Sequence, residues 1–540
     1  MSELRLVPAA LTVWLASILC VTVGTWAGLA LVAAAGLICL VCGHPGQSLL
    51  AVGLGCASCA VASVRVRVAQ NWEFGERITG RVTSAPKLTS GGSWLTRISP
   101  DGHPSTLAVF STQLPDGVEP GATVVATGAL KASRVAAVNP YVFNGEVEMV
   151  QPPTGYAAFA AHVRRTFAES VDATVGPSSR GLIPGMVLGD TSAQTAAEEQ
   201  AYIATGLSHL SAVSGSNVTY VTTAAVVAAT LIGCGLRTRL ACAAAALLLF
   251  AGLVGPEPSV LRASVTGLVG LVAVIASTRA EPVHALCIAV IALVLADTDL
   301  AVHYGFALSV AATAGIVTLH PLLYRWLAPT GWPDILVRAV AVAIAADVVT
   351  MPIVSLMAGE VSLVSAAANV LVAPVTGAVT VLGLLAAVLC LLPGGLEVPL
   401  LIAIEPLTWW VHAVATNGAR LPFAKVEAGP VMVLVAYGWV IAGLMARRPR
   451  ITFAITAGVI GALHLQPLPA PVVDQTALRA HVVATRSEIE PVPPGTELVV
   501  VLEPGAPTKR PTKTPAGIPV IFPNRDGAIT LRADGSRSPP

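Results

Sequence analysis

The chain has 540 residues, of which 54% are hydrophobic and only 11% are charged, whereas an ordinary soluble chain is about 25% charged. A single globular core could not bury this much apolar surface, but lipid can solvate it in place of water. The formal net charge of +1 singles out no class of charged partner. Composition therefore predicts an integral membrane protein that crosses the bilayer many times.

Three apolar stretches open the chain, at 6–23, 26–42 and 47–64. Each has about the length of a helix that crosses a hydrocarbon core of roughly 30 Å. The first stretch follows Arg5 and could imitate a signal peptide, but it has no convincing small-residue cleavage site and two more apolar runs follow at once. We interpret residues 1–70 as amino-terminal transmembrane helices.

A polar segment follows at 71–154, rich in Gly, Pro, Ser and Thr. Short runs of alternating polarity are separated by turn residues within it, which predicts strands at 77–83, 94–98, 106–110 and 123–130. Several short strands with such spacings indicate a small barrel or sandwich.

The rest of the chain divides into three segments. Residues 155–205 form an amphipathic helical segment that breaks near Gly176-Pro177, residues 206–466 form a helix bundle, and residues 467–540 form a proline-rich polar tail. Within the tail, alternation favours short strands at 498–502 and 519–522. The bundle contains apolar stretches at 212–235, 239–254, 259–277, 282–296, 300–319, 337–357, 361–392, 399–417, 430–446 and 450–465.

The stretch 361–392 is too long for one plain helix. Pro374 and Gly377 lie in its middle, which predicts a broken or re-entrant helix. Lys and Arg in short loops favour a cytoplasmic amino terminus, and three crossings then place the 71–154 domain outside. If 361–392 counts as one crossing, Arg447, Arg448 and Arg450 also lie inside. Arg65, Arg67, Arg420 and Lys425 oppose this orientation.

The segment 206–219, GLSHLSAVSGSNVT, places several polar side chains at the start of a long apolar stretch. Helical spacing would put His209, Ser216 and Tyr220 along one face. Polar groups at membrane depth usually face the bundle interior or a water-filled path, although simple interhelical hydrogen bonding is an equally ordinary role. A Ser214 nucleophile with a His209 base is a further alternative, but nothing fixes a third, orienting group.

Three further polar residues interrupt apolar stretches. Asp347 lies within one stretch, and a charge at the centre of a membrane helix costs about 2.5–3.5 kcal/mol on insertion scales, so we expect it to be functional. Arg262 follows Pro256-Glu-Pro258 and could equally extend its charge to the interface. Asn369 lies at the start of the 361–392 stretch. No metal-ligand motif or P-loop is present, so no cofactor is predicted.

The segment 206–219 resembles the signature of the ComEC family of competence proteins, which reads approximately GLSHLLAVSGLHVG. These membrane channels pass one strand of incoming DNA into bacteria. MVLGDT at 186–191, which precedes this segment, is also similar to the family. Further similar pieces follow the segment in order and extend the resemblance over about residues 180–376: SVLRA at 259–263, Asp297, YGFALS at 304–309, TMPI at 350–353, VSLVS at 361–365 and NVLVAP at 369–374.

The family also carries an external OB-like barrel after its first helices, ending in an Asn-Pro-Gly-x-Phe-Asp-like phrase. Here NPYVFN stands in that place, at 139–144. Two departures concern single residues: Asn217 replaces the second signature histidine, and Asp347 stands where many members carry glutamine. Many members also end in a metallo-β-lactamase-like domain with an H-x-H-x-D-H cluster. The only histidines after Leu421 are His464 and His481, so we expect no nuclease activity.

The fold class is therefore a polytopic α-helical membrane protein with a small external OB-like β-barrel. The resemblance implies a plasma-membrane channel for single-stranded DNA, surrounded by membrane lipid. Its expected partners are external DNA-receptor proteins and a cytoplasmic motor or helicase. The chain could also form a homo-oligomer. A transporter of another anionic solute and a membrane-embedded serine hydrolase are the alternatives. The candidate pore and signature residues are His209, Ser214, Gly215, Asn217, Arg262, Asp347, Asn369 and Pro374.

Overall fold

The structure is a computed structural model. It describes residues 4–89, 92–115, 117–133, 135–276, 281–422, 424–445, 455, 478–503, 512–526, 530–531 and 537–538. The chain divides into two compact units, Met1–Tyr437 and Gly438–Pro540, each with its own internal contacts.

Three apolar helices open the first unit: α1 (Val7–Thr22), α2 (Thr25–Val41) and α3 (Pro45–Gln70). They lie at the three predicted anchors and pack closely through small residues. A Cβ atom on Gly28 would lie 2.5 Å from the Cys20 sulfur, so only glycine allows α1 and α2 this approach.

A six-stranded sheet follows and closes into a small barrel. Its strand order is β1-β5-β6-β4-β3-β2, and β1 also pairs with β3, which closes five of the strands on themselves. Strand β4 runs parallel to β6, and the other pairs are antiparallel. Without the short β2, this is the order of the five-stranded Greek-key OB barrel. The strands are β1 (Arg77–Val82), β2 (Lys87–Leu88), β3 (Trp94–Pro100), β4 (Leu107–Ser111), β5 (Thr123–Ala132) and β6 (Tyr141–Gln151).

Four of these strands lie at the runs that alternation predicted, but the longest strand, β6, was not predicted. Its interior residue Phe143 is fully buried among Ile98, Leu107 and Val124. Gly145 of β6 pairs with Gly128 of β5, and a Cβ on Gly128 would lie 2.6 Å from the Gly145 Cα. This close crossing requires glycine, which weakens the strand pattern in the sequence.

The barrel contacts the helix bundle at Asp299, the first residue of the short helix Asp299–Val302. One carboxylate oxygen of Asp299 accepts a hydrogen bond from Ser105 Oγ at 2.5 Å, and the other accepts from the Val138 backbone N–H at 2.8 Å. Ser105 and Val138 lie in two different barrel loops. Nearby, Arg65 of α3 donates to the Ala296 carbonyl at 2.5 Å.

Replacing Asp299 by alanine is expected to loosen this junction without unfolding the barrel. The substitution leaves the Val138 N–H and the Ser105 hydroxyl without their acceptor, at a cost of about 1–3 kcal/mol for each buried group. Hydrogen exchange at 103–106 and 136–140 should accelerate, while the buried strand β4 keeps its protection. Unchanged exchange in both loops would contradict the role of Asp299.

After the barrel the first unit is almost entirely helical. Helices α4 and α5 are separated at Val175–Gly176, where the sequence predicted a break. The helices are α4 (Gly155–Thr174), α5 (Pro177–Arg180), α6 (Leu182–Leu188), α7 (Ala196–Ala204), α8 (Gly215–Leu231), α9 (Leu236–Val254), α10 (Pro258–Ile275), α11 (Pro282–Ala296), α12 (Asp299–Val302), α13 (Tyr304–Leu327), α14 (Asp334–Ala358), α15 (Ser365–Leu389), α16 (Val398–Ala419) and α17 (Pro430–Met445).

Seven helices of the described chain are long and apolar enough to cross a membrane: α3, α9, α10, α13, α14, α15 and α16. Four shorter apolar helices accompany them, namely α1, α2, α11 and α17. The protein is thus a multi-pass helical membrane protein with an inserted barrel, which confirms the predicted fold class.

The prediction of a broken or re-entrant helix at 361–392 was wrong. Residues 360–362 form a short strand, β7 (Glu360–Ser362), paired with β8 (Lys425–Glu427), and α15 then runs unbroken through Pro374. Proline removes one helical hydrogen bond, which a neighbouring helix can offset. Pro374 frees the Val370 carbonyl, and next to it the Trp410 indole N–H of α16 donates to the Leu371 carbonyl at 3.0 Å.

The second unit contains a small sheet in the order β11-β12-β10-β9. Strands β10 (Leu498–Val501) and β12 (Pro519–Ile521) lie at the two predicted runs. Strand β9 (Ala480–Val483) pairs parallel to β10, and β11 (Thr512–Lys513) pairs antiparallel to β12. The remaining elements are α18 (Pro523–Asp526), β13 (Thr530–Leu531) and β14 (Arg537–Ser538). The predicted helix at 450–465 lies outside the described residues, apart from residue 455.

Candidate functional site

The segment 206–217, here called the signature segment, does not continue α8 as a helix. Ser208–Ser211 form one 3₁₀ turn, Ala212 is extended, and α8 begins only at Gly215. His209 therefore does not share a helical face with Ser216 and Tyr220, and that prediction was wrong. The backbone instead crosses between helices and contacts a different polar cluster at each end.

The first cluster surrounds Ser365, the first residue of α15. The Ser365 hydroxyl donates to Asp347 of α14 at 3.2 Å, and the Asn369 amide donates to the Ser365 carbonyl at 3.0 Å. Gly206 lies against the same serine, since a Cβ on Gly206 would be 2.6 Å from the Ser365 Cβ. Asp347 and Asn369, singled out separately in the sequence, therefore meet at the start of the signature segment.

The second cluster surrounds Arg262 of α10, at the other end of the signature segment. Its Nε donates to Ser309 Oγ of α13 at 2.8 Å. Its Nη2 lies 3.1 Å from the position that a Cβ on Gly215 would occupy, so the guanidinium packs on the first residue of α8. Ser259, one turn before Arg262, donates to the Val213 carbonyl at 2.8 Å and fixes α10 against the segment.

Arg262 is a buried cation without an acidic partner. The side chain is only 8% exposed, and none of the ion pairs between described residues includes it. A buried charge is costly unless it is paired. The amino-terminal end of α8 adds partial positive charge beside it. The guanidinium and the helix end together form an arrangement suited to an anion such as phosphate.

Asn217 stabilises the start of α8. It is 2% exposed, its amide nitrogen donates to the Met186 carbonyl of α6 at 2.8 Å, and its amide oxygen accepts from Ser214 Oγ at 3.0 Å. Every interaction is a hydrogen bond that a neutral side chain can make. At this position, where the resembling family carries histidine, the geometry is that of a structural tie between α6 and α8.

His209 lies in the 3₁₀ turn, with Nδ1 at 3.1 Å from the Gly206 carbonyl. A carbonyl only accepts, so Nδ1 carries the proton and Nε2 is an acceptor in the neutral ring. The ring has an exposed edge, yet the protein around it removes enough water to lower the pKa of His209, which the bond to Gly206 partly opposes. His209 is therefore a neutral polar group at pH 7.

Replacing His209 by asparagine is expected to preserve the stability of the protein better than replacing it by leucine. Asparagine keeps an N–H donor close to the Nδ1 position and can hold the Gly206 carbonyl, whereas leucine leaves that carbonyl without its partner at about 1 kcal/mol. Thermal unfolding of the purified variants should show the smaller loss for asparagine. Equal losses would show that the bond to Gly206 does not stabilise the turn.

The structure brings seven of the eight candidate residues into or beside these two clusters. Pro374 is the exception, since it lies on an exposed part of α15, more than two turns beyond Ser365. Ser309 and Ser365 were not among the predicted site residues. Each is the polar last residue of an apolar motif, at 304–309 and 361–365. This position could have identified both serines as candidate site residues.

Ser214 and His209, the nucleophile and base considered for a serine hydrolase, have different hydrogen-bond partners in this structure. Ser214 Oγ contacts Ser216 and Asn217, while His209 contacts Gly206. Within the described residues, no hydrogen bond joins the proposed nucleophile to the proposed base. The described chain also contains no group of three or more His, Cys, Asp or Glu side chains that could hold a metal ion.

Comparison with known proteins places both clusters in one region. The family model described as Competence protein matches residues 186–450, which include the signature segment, Arg262, Asp347 and Asn369. This region of the chain belongs to the competence protein family. The competence region, as residues 186–450 are called below, excludes the three amino-terminal helices and the barrel.

One curated relative extends the similarity. ComE operon protein 3 of Bacillus subtilis (strain 168) is 23% identical over 346 residues, which is 59% of this chain and 42% of that protein. The alignment thus spans less than half of the relative's length. No solved structure matches the chain.

Proposed function

We propose that this protein is a bacterial plasma-membrane channel that translocates single-stranded DNA during natural transformation. Two similarities support this proposal: the match of residues 186–450 to the family described as Competence protein, and the similarity to ComE operon protein 3. The barrel stands outside the cell, and DNA-receptor proteins there deliver the strand. A cytoplasmic motor or helicase supplies the pulling force, because the sequence contains no P-loop of its own.

Arg262 carries this proposal. A polyanion can cross lipid only along a wet path whose walls are polar or positive. A guanidinium that is mostly buried and unpaired by any described carboxylate is a costly feature for a fold to keep without a ligand. Its position between the Ser309 hydroxyl and the start of α8 leaves both Nη atoms without a described hydrogen-bond partner. Successive phosphates of a passing strand would supply hydrogen-bond acceptors for these Nη atoms.

The barrel supports a single-stranded partner through its topology. OB barrels bind single strands by base stacking and by contacts to the backbone. Six Lys/Arg and seven Asp/Glu occur between residues 71 and 154, so binding would depend on stacking more than on net charge. We therefore expect barrel binding to be weak and to depend only slightly on salt concentration.

The two alternatives lose part of their basis. The anionic-solute transporter depended on a broken helix at 361–392, and α15 is continuous there. The serine hydrolase needed a bond between Ser214 and His209, whose described partners differ. The absence of nuclease activity stays an expectation, and a purified-protein assay with duplex DNA and divalent metal would test it.

Gene deletion tests the proposed function. Cells lacking the protein should bind fluorescent duplex DNA at their surface as wild-type cells do, but should not accumulate nuclease-protected DNA inside. Complementation with the wild-type chain should restore internalisation. Normal internalisation in the deletion strain would refute a role as the DNA conduit, whereas loss of surface binding alone would indicate a receptor.

A further inference from the structure

The amino-terminal helices carry an open groove that the proposed DNA path does not use. Its apolar part lies between α1 and α2 and is lined by Leu11, Leu15, Leu31 and Ile38. Three of these four side chains are exposed, with Ile38 at 62% and Leu11 at 49%. In a membrane protein such a surface faces lipid chains rather than water.

The groove ends in a second pocket of different chemistry. His44 and Gln47 line both pockets, and the second also contains Arg5 and His284. The two pockets therefore adjoin each other, with apolar side chains along the helices and the guanidinium of Arg5 as the permanent cation at one end. Among the described residues that line them, none is an aspartate or a glutamate.

The cationic end also collects helix termini. Helix α1 begins at Val7, α3 at Pro45 and α11 at Pro282, and residues of all three first turns or their preceding residues line the pocket. Each terminus adds partial positive charge. His284 lines this pocket, and its Nδ1 atom is buried without a hydrogen-bond partner in the described structure.

We propose that this groove binds one anionic phospholipid, with its phosphate between Arg5, His44 and His284 and an acyl chain between α1 and α2. A free phosphate would leave the apolar part of the groove unused. A lipid with no net charge would gain less from the cationic end, since its own ammonium group would face Arg5. Only an amphiphilic anion satisfies both halves of the groove.

Retention of lipid by the purified full-length chain tests this proposal. The protein in non-ionic detergent is incubated with equal amounts of dioleoylphosphatidylglycerol and dioleoylphosphatidylcholine, and native mass spectrometry quantifies the lipid retained. Phosphatidylglycerol should be retained about fivefold more than phosphatidylcholine, the effect of roughly one nearby basic residue. Equal retention of the two lipids would overturn the proposal.

Two variants separate the halves of the groove. The double substitution Arg5→Gln and His44→Gln should bring the ratio of the two lipids close to one. Ala35→Phe, which fills the apolar part, should lower retention of both lipids while the ratio stays. Arg237→Gln, an exposed arginine outside the groove, is the matched control and should behave as wild type. An unchanged ratio in the double variant would also refute the site, and size-exclusion profiles establish that each variant is folded. The assay measures no DNA transport, so its result is independent of the proposed function.

Discussion

Replacing Arg262 by glutamine should lower DNA internalisation about 10- to 100-fold while the protein remains as stable as wild type. A charge-assisted hydrogen bond contributes about 1.5–3 kcal/mol, and each 1.4 kcal/mol is a factor of ten. Stability should not fall, because the substitution removes a desolvated charge that no described carboxylate offsets. Glutamine can still donate to Ser309, which replaces the bond that Nε makes.

The measurement combines two readouts on the same strains. Nuclease-protected internal DNA reports transport, and thermal unfolding of the purified variant reports stability. Arg262→Lys should give an intermediate result, since lysine keeps the charge but cannot bridge two acceptors as a planar guanidinium does. Arg237→Gln is the control for loss of one positive charge. A stable Arg262→Gln protein with full transport would contradict an anion-binding role.

Replacing Gly206 by alanine should destabilise the protein by about 2–5 kcal/mol. Two effects add. Gly206 has φ +67°, a left-handed conformation that costs a residue with a Cβ about 1–2 kcal/mol. The new Cβ atom would also overlap Ser365, and such overpacking costs about 1–3 kcal/mol. Because Ser365 also contacts Asp347, the overlap should disturb the first polar cluster as well.

Gly233 supplies a matched control for this substitution. It has φ +78°, and nothing lies within 4 Å of the position of its Cβ. Gly233→Ala should therefore show the conformational cost alone, about 1–2 kcal/mol. Adding Ser365→Gly to Gly206→Ala should recover part of the loss in thermal unfolding. If the two single glycine variants unfold at the same temperature, the contact between Gly206 and Ser365 does not limit this turn.

The amino-acid sequence by itself determined that the protein lies in a membrane, and it located most of the helices and barrel strands. Membrane helices are readable because each must be about as long as the hydrocarbon core and apolar throughout. The barrel strands β1, β3, β4 and β5 are readable because side chains alternate between core and surface. Strand β6 was missed because Gly145 and its partner Gly128 replace side-chain alternation with a close crossing of backbones.

Only the tertiary structure decided which polar residues act together. Spacing suggested that His209 and Ser216 share a helical face, but a 3₁₀ turn and an extended residue separate them. Helix α15 runs through Pro374, and Trp410 of another helix donates to the Leu371 carbonyl near the proline. No local pattern could show that Arg262 meets Ser309 and Gly215, or that Asp347 meets Ser365, because these contacts join residues far apart in the chain. Local sequence sets periodicity and solvent preference, whereas the pairing of distant polar groups follows from how the helices pack.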